Sequence, residues 1–192
     1  MGEHTKGSSA WSGLICECRK GKEEKRERES CLQIIKKSEG KLELIKPSED
    51  VCSSYLEKAN NCLRAAKLLL ENNLLENSIS MSYYAMYNSL TALLFKTGIK
   101  CENHAASILL LKKLFGKNDL SELISFAKKE RIDKQYYISS KQNIALTEES
   151  SKDMLVKSEE FLIQIRLAIT NMSDSEAETA REKFDEITGG KP

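Results

Sequence analysis

The chain has 192 residues, enough for one ordinary domain with extensions, and 30 Lys and Arg against 29 Asp and Glu leave a formal charge of +1. That balance excludes a whole-molecule electrostatic argument for nucleic acid or membrane binding, so any such claim needs a local patch. Two prolines, nine glycines and an abundance of Leu, Lys, Glu, Ser and Ala favour helices.

No apolar run approaches the roughly 20 residues of a membrane-spanning helix. The N-terminus lacks the basic start and apolar core of a secretory signal. These features imply a cytoplasmic protein with no membrane partner, whose six cysteines are free thiols. Residues 1–40 read as a loosely ordered extension. The first 21 show no periodicity, and "GKEEKRERESCLQIIKKSEG" reads as a charged helix stopping at Gly40. Its basic residues alternate with Glu, the pattern of a solvated helix laced by i,i+4 ion pairs. Cys16 and Cys18, with Cys31 and His4, lack the second pair that a tetrahedral zinc site needs. Neither a metal nor a cofactor is expected.

Residues 41–171 read as the folded body. Pro47 disfavours helix at Lys46, and Ser48 caps a helix carrying Glu49 and Asp50 in its first turn. Val51, Tyr55, Ala59, Cys62 and Ala66 then recur every three or four residues. The next helix, "LLENSISMSYYAMYNSLTALLFKTG", is apolar almost all round and so predicts a central position, or contact with a second subunit. Tyr83, Tyr84, Met86 and Tyr87 are assigned to core or dimer contacts. Asn103 caps a short helix with His104 in its first turn and Gly116 at its end. "NDLSELISFAKKERIDKQYY" follows, with Leu120, Leu123, Ile124, Ala127 and Ile132 turned inward. Thr147 caps the last long helix, faced by Met154, Leu155, Phe161, Leu162, Ile165 and Ile169. Residues 172–192 are acidic and poor in large apolar side chains, which predicts a loose tail or a weakly held helix. The sum is an all-α, up-and-down bundle of four to five helices with flexible charged termini. No Gly-rich phosphate loop and no strand–helix alternation is present.

The order of "SYLEKANNCLRAAKLLLENN", "SISMSYYAMYNSLTALLFKTG", an Asn-His helix start and "ERIDKQYY" resembles the HEPN domain. Within it, the likeness is to small stand-alone archaeal and bacterial proteins once grouped as an uncharacterised HEPN-like family. The resemblance covers about residues 41–170, and the second of these stretches is its most specific part. It implies an all-helical bundle that dimerises, often paired as a toxin with a minimal nucleotidyltransferase antitoxin. Active members of the family are metal-independent endoribonucleases. Their fourth helix carries an Arg, four to six variable residues and a His, and two copies build one RNA site.

The chemistry explains that motif. Attack of a ribose 2′-hydroxyl on phosphorus needs a proton acceptor, a donor for the leaving oxygen and positive charge at the phosphate. Histidine titrates near neutrality, and arginine offers a permanently charged fork matched to phosphate oxygens. Here Arg131 is present, but the position after four intervening residues holds Tyr136, followed by Tyr137. Tyrosine, with an ordinary pKa near 10, is a poor base at neutral pH.

Two functions stay open. One is RNA or nucleotide binding, with cleavage, by Arg131, Gln135, Lys128, Lys134 and Tyr136. The other is a non-catalytic module binding a partner protein or a nucleotide. By the family resemblance, Tyr136 or Tyr137 is also a candidate acceptor for AMP from the nucleotidyltransferase. His104 stands in the first turn of its helix and is a candidate to approach Arg131 across the bundle.

Overall fold

The structure, a computed structural model, describes residues 29–38, 40–136 and 147–189, without the side chains of residues 134–136. The chain divides into two units at residues 39 and 40. In the first, residues 29–37 are helical, and Ser38 Oγ donates to Ile34 O at 2.8 Å. The predicted thiol and histidine group at Cys16, Cys18 and His4 lies outside the described residues, as does Tyr137.

The second unit contains, in order, β1 (Leu42–Leu44), α1 (Glu49–Glu71), α2 (Leu75–Lys96), β2 (Ile99–Cys101), α3 (His104–Phe115), α4 (Asn118–Tyr136), α5 (Glu148–Thr170) and α6 (Asp174–Thr188). Ser48 Oγ accepts from Val51 N–H at 3.3 Å and starts α1, with Glu49 and Asp50 in the first turn, where the helix dipole favours negative charge. Cys52, Ala59 and Ala66 line the buried face of α1. α1 packs on α2, whose buried residues include the small Ser78, Ser82, Ala85 and Ser89, and Ser78 Oγ donates across the pair to Ala66 O at 2.8 Å.

α2 is the centre of the bundle, packing on α1, α4 and α5 and touching α3. Its buried residues run round the helix, from Ile79 and Tyr83 to Met86, Leu90 and Leu93. That is the all-round apolar character read from its sequence. Tyr55 stacks on Phe95 at 5.3 Å, and Lys96 pairs with Glu49, so the C-terminal end of α2 is fastened to the start of α1.

β1 and β2 form an antiparallel two-stranded sheet pairing Leu42 with Cys101, Glu43 with Lys100 and Leu44 with Ile99. The sequence pattern did not show these strands. Three residues are too few for a period-2 signal, and the partner lies beyond two helices. The all-helical class stands, with this small sheet added.

Of the loose tail or weakly held helix expected at the C-terminus, the structure has the helix, and it is packed. Residues 174–188 form α6, closed at its start by a capping box between Ser173 and Glu176. Ala180 and Phe184 are buried, and α6 packs on α3. Arg181 donates to the carbonyls of Ile45, Thr97 and Gly98 at 3.0, 3.2 and 3.3 Å. This guanidinium fastens α6 to the turn between α2 and β2. Gly98 makes the approach possible: its φ is +73°, and a Cβ there would stand 2.5 Å from Ile45 O and 2.9 Å from Pro47 Cδ.

Candidate functional site: an arginine and a histidine on a tyrosine platform

Asn103 starts α3. Its Oδ1 accepts from the backbone N–H groups of Ala105 and Ala106 at 2.9 and 3.1 Å. The cap fixes His104 as the first helical residue and turns its ring onto α2. There Tyr83 and Tyr87, one helical turn apart, stack with ring centres 6.3 Å apart. The imidazole lies flat on Tyr87 at 3.7 Å and 8°, and 5.8 Å from the Tyr83 ring. Tyr83 Oη and His104 Nδ1 share a hydrogen bond of 2.5 Å.

Arg131 of α4 lies over the same platform. Its Cζ lies 5.0 Å from the ring centre of Tyr84 and 5.6 Å from that of Tyr83, within the range of attraction between a cation and an aromatic face. Arg131 Nε is buried without a hydrogen-bond partner. Lys128 sits one turn earlier on α4, half-buried. Among the described residues no carboxylate pairs with Lys128 or Arg131.

The electrostatics follow from this crowding. Burial, and then the charges of Lys128 and Arg131, hold the His104 pKa below its ordinary 6.5. Burial and the neighbouring Arg131 also lower that of Lys128. Burial pushes the Tyr83 phenol well above its ordinary value, Tyr87 adds to the rise, and Arg131 opposes it. Burial raises Tyr87 too. At neutral pH the group therefore comprises two cations, a neutral imidazole and protonated phenols. Such a set attracts an anion, because a phosphate would relieve the repulsion between Lys128 and Arg131.

A family model described as the HEPN domain matches residues 52–187. The chain belongs to the HEPN family. Two relatives are similar across most of their own length. One, from Methanocaldococcus jannaschii, bears the name "Putative toxin MJ0605" and is 29% identical over 130 residues, 66% of this chain and 94% of that protein. The other, a UPF0332 protein of Thermotoga maritima, is 26% identical over 129 residues, 65% of this chain and 95% of its own. The HEPN match takes in the whole tyrosine platform, Arg131 and α6 as far as Ile187.

Of the residues selected from the sequence, the HEPN fold brings together Arg131, Lys128, Tyr83, Tyr84 and Tyr87. Tyr83 and Met86 are wholly buried, while Tyr84 and Tyr87 are half-buried and face Arg131 and His104. Lys134, Gln135 and Tyr136 belong to the last turns of α4, and their side chains lie outside the described residues. His104 joins them at the platform. The Asn103 cap placed it at the helix start, but the packing of α3 on α2 was needed to bring it to Tyr83.

Proposed function

We propose that this HEPN protein is a toxin that binds RNA or a nucleotide by its phosphates at Arg131 and Lys128, as a homodimer checked by a minimal nucleotidyltransferase. The observation that carries the binding site is Arg131 itself. Its guanidinium is laid over two tyrosines, its Nε is orphaned, and no described carboxylate neutralises it. A cation held this way is preorganised for an anion that comes from outside. The toxin assignment draws on the name of the archaeal relative.

Lys134 and Gln135, next along α4, are proposed to extend the contact to the backbone or a base. Tyr136 is proposed to border the same site and, with Tyr137, to be the acceptor if the nucleotidyltransferase silences the toxin by adding AMP. Val156, Ile163 and Leu167 leave an exposed apolar stripe on α5, which suits contact with a second protomer.

The alternative is a module that binds without turnover. The observation favouring it is the tyrosine at 136, where active members carry the histidine of the motif. Expression in a bacterial host tests the toxin assignment. Wild-type protein should arrest growth, Arg131→Ala should relieve the arrest, and co-expressed nucleotidyltransferase should relieve it too. Harmless wild-type protein at the same cellular level would rule the assignment out.

A further inference from the structure

Two needs of RNA cleavage meet in different parts of the site. α4 supplies the positive charge through Lys128 and Arg131. Its sequence contains no histidine. Among the described residues the imidazole comes from α3, where His104 is fixed at three points: the Asn103 cap behind it, the face of Tyr87 beneath it and Tyr83 Oη at Nδ1. Tyr83 is shared, since the guanidinium of Arg131 lies over its ring while its hydroxyl meets the imidazole. A single buried phenol thus ties together the phosphate-binding cation and the imidazole.

We propose that His104 supplies the proton-transfer group that α4 lacks, with Tyr83 as its positioning residue. The inference rests on the phosphate-binding role given above to Arg131 and Lys128. The Tyr83 hydroxyl serves either ring tautomer, donating to a bare Nδ1 or accepting from Nδ1–H. In the second arrangement Nε2 carries a free lone pair, and a proton arriving there leaves the Nδ1–H contact to Oη in place.

The step balances with RNA and water alone. Nε2 takes the proton of a ribose 2′-hydroxyl as the 2′-oxygen bonds to phosphorus. The bond from phosphorus to the 5′-oxygen breaks, and that oxygen takes a proton from water. The resulting hydroxide recovers the proton from the imidazolium. The products are a 2′,3′-cyclic phosphate and a 5′-hydroxyl. Arg131 and Lys128 hold the phosphate oxygens, whose charge grows during attack.

The groups acting on His104 are Tyr83 and Tyr87 from α2 and Lys128 and Arg131 from α4. Burial, and then the charges of Lys128 and Arg131, lower the His104 pKa from 6.5 and so favour the neutral ring at pH 7, the form a base requires. Cleavage should therefore fall as acid protonates His104, with a midpoint below 6.5, and level off above neutrality.

The test uses full-length wild type, His104→Gln and Tyr83→Phe with a single-stranded RNA. It reads binding and the appearance of cyclic-phosphate ends separately, over roughly pH 5 to 8. His104→Gln should slow cleavage by about 100-fold or more while changing affinity far less. Tyr83→Phe, which keeps the ring under Arg131, should slow cleavage by a smaller factor and move the midpoint to lower pH. The wild-type profile carries the test even if a variant folds poorly. Cleavage by His104→Gln at the wild-type rate, or a wild-type rate that is flat or rising toward acid, overturns the inference. So does wild-type protein that binds RNA through Arg131 and leaves it intact at every pH, an outcome that spares the binding site. Absent RNA binding, or binding indifferent to Arg131→Ala, overturns the binding site first and the inference with it.

Discussion

His104 shows how position sets the chemistry of a side chain. In water its ring would be half charged near pH 6.5, but burial and two nearby cations disfavour that charge. The consequence for stability has a definite sign. A histidine whose folded pKa is depressed contributes nothing adverse above the unfolded value near 6.5. As pH falls below that value and through the lowered folded one, the unfolded chain takes up the proton more readily and stability is lost. A nuclear magnetic resonance titration should give His104 a midpoint below 6.5, and mildly acidic buffer should lower the melting temperature more in wild type than in His104→Gln. A His104 midpoint at or above the ordinary value would mean that the ring is not enclosed between α2 and α4.

At the scale of elements, α6 carries the clearest structural prediction. Its hold on the body depends on Ala180, Phe184 and the three carbonyl contacts of Arg181. Hydrogen bonds from a charged donor contribute about 1.5–3 kcal/mol each in favourable cases, and shared geometry keeps their total well below the sum. Arg181→Ala should therefore cost about 2–3 kcal/mol in denaturant unfolding. Gly98→Ala should cost about 2–4 kcal/mol, from a left-handed φ and a Cβ pressed on Ile45 O. A loss below about 0.5 kcal/mol in both, the size of a neutral surface change, would mean that the clasp does not hold α6.

The same elements show what could be read in the sequence and why the rest could not. α1, α2 and α5 announce themselves through long apolar stripes and through caps at Ser48 and Thr147. α6 has only Ala180 and Phe184 to bury, an i,i+4 pair diluted by acidic residues, so composition left a loose tail and a weakly held helix both open. The Ser173–Glu176 capping box was the signal available there. At the site, Arg131 was visible because its residue type stood out in the "ERIDKQYY" pattern. The pairing of Tyr83 with His104 was not visible, because it joins positions on two helices and arises only when α3 closes on α2. The two strands were hidden for the same reason, each being too short to signal without its distant partner.

At the scale of the molecule, near-zero net charge means that attraction to RNA must come from the patch rather than from the chain as a whole. No helix among the described residues is long and apolar enough to cross a membrane. The exposed stripe of Val156, Ile163 and Leu167 predicts self-association. Sedimentation should report a dimer for wild type and a shift toward monomer for Ile163→Glu, with helix content unchanged. A wild-type monomer at high concentration would remove the two-subunit part of the proposal.

The most direct measurement is the affinity of wild type and Arg131→Ala for a single-stranded RNA across a range of salt concentrations. A phosphate held by Arg131 predicts a loss of about 10-fold or more, and a log–log salt slope shallower by about 0.7, one phosphate contact on a single strand. Equal affinities and parallel salt slopes would contradict the account, leaving the guanidinium over Tyr83 and Tyr84 as packing alone.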